Sequence, residues 1–71
     1  MDLFLLDLLI RRKGLNRYKM SQLMHMPHST FRDKMEGRSE FKASEIRKIR
    51  MILSLDNDTM CKILFSDGDY I

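Results

Sequence analysis

Apolar residues recur along this chain at intervals of three and four, and short polar stretches carrying Gly, Asn or Pro divide them. Leu6, Leu9, Ile10 and Lys13 follow the i, i+3, i+4, i+7 rule, which predicts a first helix over residues 2–13. Asp2 stands where a helix start favours an acid, and Arg11, Arg12 and Lys13 stand where its end favours bases. Gly14 supplies the stop. Asn16 is a suitable cap for a second helix over 17–24, with Met20, Leu23 and Met24 on its inward face. A turn is expected at 25–26, and Pro27 suits the entry to a third helix over 28–36. Phe31 and Met35, spaced i, i+4, point that helix inward, and Gly37 ends it. The polar loop Arg38–Lys42 carries Phe41, which is expected to plug the core. A fourth helix over 43–53 has the stripe Ile46, Ile49, Ile52 and Leu53. Asp56 caps a last helix over 57–65, with Met60, Ile63 and Leu64 inward. No stretch alternates with period two. The expectation is an all-α, compact bundle of about five short helices: one domain over 1–65 and a C-terminal tail over 66–71.

Size and charge sharpen this picture. A chain of 71 residues makes one small domain, and a domain of that size buries only about 60% of the surface its unfolded chain exposes. Charged residues at 32% and hydrophobic residues at 44% suit a soluble globule. The longest apolar run, Leu3 to Ile10, is broken by Asp7 and falls far short of the roughly 20 residues a bilayer requires. Basic residues follow that run instead of preceding it, unlike a signal peptide. The single cysteine, Cys61, cannot form an internal disulfide, and the expected compartment is a reducing cytoplasm. The net charge of +3 divides unevenly. Residues 11–50 hold 12 Lys/Arg against 4 Asp/Glu, giving +8, while residues 1–10 give −2 and residues 51–71 give −3. A basic middle between acidic ends points to a polyanion-binding surface.

The two short helices in that basic middle, joined by a tight turn, have the dimensions of a helix-turn-helix. Such a unit needs a small residue where its helices cross, and Ser21 fits. It needs large apolar residues in the wedge, and Met20, Met24, Met26, Phe31 and Met35 fit. With Phe31 and Met35 inward, the outward set on the third helix is His28, Ser29, Arg32, Asp33 and Glu36. His, Ser and Arg all hydrogen-bond to base edges in a major groove, and Arg pairs well with guanine.

The run from Gly14 to Ile49 resembles the phage Cro and repressor proteins and their bacterial relatives, the Xre-like helix-turn-helix regulators; the likeness extends over about residues 6–65. It rests on Gly14-Leu15 before the cap Asn16, Met20 and Ser21 in the second helix, Ser29-Thr30-Phe31 after the turn, Gly37 at the close, and Ser44-Glu45-Ile46 opening the fourth helix. The resemblance implies a sequence-specific regulator of transcription, bound to an operator in double-stranded DNA with its third helix in the major groove. It assigns base reading to His28, Ser29, Arg32 and Asp33, and phosphate contacts to Arg17, Lys19, Arg38 and Lys42. It also implies occlusion of a promoter, in a bacterial or phage-infected cell, by a protein of phage or mobile-element type. Three departures stand out. His25 replaces the usual turn glycine, Pro27 replaces a Ser or Thr cap, and the acids Asp33 and Glu36 lie on the proposed DNA face.

Other chemistries find less support. His25, His28 and Cys61 are scattered over separate elements without paired-cysteine spacing, so no metal is expected. No nucleophile–base–orienter set is visible, and neither enzymatic activity nor a cofactor is expected. Apolar residues remain in surplus: Phe4, Leu5 and Leu8 lie off the inward face of the first helix, and Phe65, Tyr70 and Ile71 follow the last. Either the first helix sits deeper than its stripe indicates, or these residues are the contacts of a homodimer. A rival reading keeps the fold and makes it a protein-interaction module, an antirepressor or a regulator's partner, favoured by Asp33 and Glu36 on the exposed helix.

Overall fold

The computed structural model describes residues 1–65 as five α-helices: α1 Leu3–Arg12, α2 Arg17–Leu23, α3 His28–Met35, α4 Ala43–Leu53 and α5 Asn57–Leu64. Among the described residues there is no strand. The all-α expectation holds, and α4 has the expected bounds. The others are one or two residues shorter because their expected terminal residues act as caps. Met24 and Glu36 cap the ends of α2 and α3, Phe65 caps α5, and at α1 Asp2 and Lys13 occupy the two cap positions.

Three helix starts are closed by a carboxylate or amide. Asp2 accepts from the Leu5 N–H at 2.9 Å, Asn16 from Lys19 at 2.8 Å and Asp56 from Thr59 at 2.8 Å. Each satisfies one of the amides a helix leaves unpaired at its first turn. Hydrogen bonding from Thr59 holds the Asp56 carboxyl below its ordinary value. At α4 the roles are reversed: the Lys42 N–H donates to the Glu45 carboxylate three residues later, at 2.8 Å.

Four helix ends share one closure. The N–H of a residue in the left-handed region reaches back three residues, and the next N–H reaches back five. After α1 these are Gly14 to Arg11 at 2.9 Å and Leu15 to Ile10 at 3.1 Å. After α2 they are His25 to Gln22 at 3.1 Å and Met26 to Ser21 at 3.1 Å. Gly37 and Arg38 repeat the pattern after α3, and Ser54 and Leu55 after α4. The pivots have φ of 81°, 57°, 84° and 54° for Gly14, His25, Gly37 and Ser54. Glycine adopts this region freely; other L-residues pay about 1–2 kcal/mol. His25 is exposed, so its side chain contributes no core contact in return. His25→Gly is therefore expected to raise stability by about 1 kcal/mol, read as a higher urea midpoint with unchanged slope. A lower midpoint would contradict a left-handed pivot at this position.

The core gathers Leu6 and Ile10 from α1, Met20 and Met24 from α2, Phe31 and Met35 from α3, Ile49 and Leu53 from α4, and Ile63 from α5. Phe41 joins it from the loop before α4 and meets Phe31 edge-on, with ring centroids 5.9 Å apart. Ser21 is buried beside these residues, and its hydroxyl donates to the Tyr18 carbonyl at 2.6 Å. Its small side chain lies in α2, which packs closely against α3. The N- and C-terminal helices also meet: the Asp2 N–H donates to the Ile63 carbonyl at 2.6 Å.

Two expectations need correction. Leu23 is 46% exposed instead of facing inward. The buried stripe of α2 is Met20, Ser21 and Met24, and at 100° per residue its centre lies about 100° from Leu23. Leu5 does not stand on an outer face; it is half-buried and packs against the core. Helix α1 is covered on a wider arc than the Leu6–Ile10 spacing alone indicates, because α2 and α5 both pack on it.

Candidate functional site

The outward side of α3 is set by its inward side. Phe31 and Met35 are buried, so His28, Ser29, Arg32 and Glu36 emerge into solvent, with Asp33 half-buried at the edge. His28 stands against Tyr18 of α2, their ring centroids 5.7 Å apart and tilted by 57°. Pro27 precedes α3 and offers no side-chain cap to its first turn. The initial amides of α3 are therefore left for water or an anionic group.

The charged residues around this helix fall into two groups. Lys19 of α2, Arg32 of α3 and Lys42 before α4 are exposed, and none has its charged group within 4 Å of a carboxylate among the described residues. Arg17 and Arg38 are engaged. Arg17 reaches Asp7 of α1 and Glu36 beyond α3, both at 3.4 Å. Arg38 reaches Asp33 at 3.1 Å and Glu36 at 2.6 Å. The acids that look out of place on a DNA face in the sequence thus sit beside two of the four expected phosphate ligands.

A further ion pair lies beneath the surface. Lys34 is 7% exposed, and its ammonium lies 2.5 Å from the Glu45 carboxylate and 5.9 Å from the centre of the Phe41 ring. Burial works to raise the Glu45 pKa, but the Lys34 hydrogen bond, the Lys42 N–H and the two lysine charges outweigh it and hold the carboxyl below its ordinary value. The pair joins α3 to α4. Sequence reasoning left both residues without this role; the signal available was Glu45 as the third residue of the fourth helix, where a capping acid belongs.

The expected dimer contacts are divided. Phe4 is 84% exposed, and Leu8 and Phe65 also face solvent. Tyr70 and Ile71 lie outside the described residues. Met51 of α4, 79% exposed, is an outward apolar side chain the sequence reading overlooked. A cleft of about 380 Å³ lies between Met1, Leu3, Phe41, Ile46 and Leu64, with Lys34 on its wall. None of the exposed α3 residues lines it. Among the described residues no three His, Cys, Asp or Glu side chains group to hold a metal, and no helix is long and apolar enough to cross a membrane.

No protein-family model, no curated protein and no solved structure matches this chain. The functional reading therefore rests on the residues and their geometry.

Proposed function

We propose that this chain binds double-stranded DNA as a small transcriptional regulator, with α2, its turn and α3 acting as a helix-turn-helix and α3 entering the major groove. The observation that carries this reading is the outward side of α3. It presents His28, Ser29 and Arg32 in consecutive turns, free to meet base edges, beside Lys19 and Lys42, whose ammonium groups have no ion pair among the described residues. The left-handed pivot at His25 supports it, because it lets two short helices turn within a few residues. Base reading falls to His28, Ser29, Arg32 and Asp33; phosphate contacts fall to Lys19 and Lys42, and to Arg17 and Arg38 when released from their carboxylates. A homodimer on two half-sites about one helical turn apart supplies the affinity that one small subunit lacks. Exposed Phe4, Leu8 and Phe65 are its proposed contacts. Electrophoretic shift of random-sequence duplex at low salt is the first test, and absence of any shift rejects the reading.

One observation favours a second reading. Asp7, Asp33 and Glu36 against Arg11, Arg17 and Arg38 sum to zero, so this part of the surface is not a continuous basic field. A protein-interaction module on the same fold would use such a mixed surface, and co-purification of a stoichiometric protein partner without DNA binding would establish it.

A further inference from the structure

We infer that Glu36 restrains sequence-independent DNA binding by holding Arg17 and Arg38 in an internal ion-pair latch; the inference rests on the DNA-binding reading above. Glu36 is the residue common to both arginines. One carboxylate oxygen lies 3.4 Å from the Arg17 guanidinium and the other 2.6 Å from that of Arg38. Asp7 closes the latch on the α1 side, and Asp33 closes it on the α3 side. The Arg17 and Glu36 side chains are each 35% exposed, so solvent and a ligand both reach them. Exposed ion pairs contribute little to folding stability. Their chief consequence is competition, because a guanidinium that already shares a carboxylate must exchange it for a phosphate.

The competition acts unequally on different DNA. Random duplex offers phosphates alone, and its affinity depends on how many cations are free to neutralise them. A matched site also offers base edges to His28, Ser29 and Arg32, so it remains bound with only Lys19 and Lys42 on phosphates. Glu36 thus lowers background binding more than matched binding. Its position also accounts for an acid on a surface that faces a polyanion.

The test measures binding of the full chain to a random-sequence duplex by fluorescence anisotropy between 50 and 200 mM salt. Glu36→Gln keeps the side-chain shape and removes the charge; a circular-dichroism melt checks that the variant is folded. Glu36→Gln leaves Arg17 with Asp7 alone and Arg38 with Asp33 alone, so the log–log salt slope per bound subunit rises by up to about 0.9 × 2, or about 1.8, the value reached when both arginines move to phosphate. Across a fourfold change in salt, the affinity of the variant then falls more than that of the parent, by up to about tenfold, from a higher value at low salt. The same substitution in an Arg17→Ala/Arg38→Ala background is expected to have no such effect. Three outcomes overturn the latch. If parent and variant bind equally, with equal slopes, the latch is wrong and DNA binding stands. If the gain persists in the double-alanine background, Glu36 acts only as a distant charge. If neither protein binds, the latch and the DNA reading fall together.

Discussion

Phe31→Ala is expected to remove about 3–5 kcal/mol of stability, the usual cost of emptying a buried phenyl site. Phe31 is completely buried, lies at the junction of α2 and α3 with the loop before α4, and meets Phe41 edge-on at 5.9 Å. The loss combines the transfer term of the ring with the cavity left when neighbours relax only partly. A domain of 71 residues has a total stability of about 4–11 kcal/mol at the usual value per residue. The substitution therefore removes between about a quarter and all of it. Urea unfolding followed by circular dichroism should show a much lower midpoint or no folded baseline, whereas Phe31→Leu should retain most of the stability. A loss below about 1 kcal/mol would mean that Phe31 is not in a close-packed site.

The largest functional effect is expected at Arg32. Its side chain is exposed on α3 and has no carboxylate within 4 Å among the described residues, unlike Arg17 and Arg38. It shares a face with His28 and Ser29, at spacings of four and three. If it forms a two-pronged contact with guanine, Arg32→Ala costs about 1–3 kcal/mol of discrimination. That corresponds to a loss of preference for the selected site of roughly 5- to 150-fold. Binding to random duplex should fall much less. The measurement is a pair of titrations at fixed salt, one with the sequence recovered by selection from random duplex and one with the random pool. Equal losses would assign Arg32 to phosphate and move base reading elsewhere on α3.

Much of the fold was legible in the sequence because its signals are local. Apolar spacing within one helix, a capping Asp or Asn and a terminal glycine all act within a few residues, and α4 could be bounded to the residue. Ser54 was not legible. It closes α4 as Gly14 closes α1, but serine carries no preference for the left-handed region that would announce it. Leu23 and Leu5 were misplaced for a related reason. Periodicity gives the direction of a stripe, while its width depends on which neighbours pack there. The site was legible in part. The outward residues of α3 follow from Phe31 and Met35, but the engagement of Arg17 joins three segments, around residues 7, 17 and 36. No spacing rule connects them.

The shared helix closures bear on how quickly this chain reaches its fold. Each turns the backbone within a few residues, so consecutive helices meet early and with little loop entropy to overcome. Domains assembled mainly from such sequence-local contacts fold fast. The meeting of α1 with α5, marked by the Asp2 to Ile63 hydrogen bond, spans almost the whole of the described residues. Closing that distance carries the main topological cost, which makes the junction of the terminal helices the natural kinetic bottleneck for assembling the surface that α3 presents.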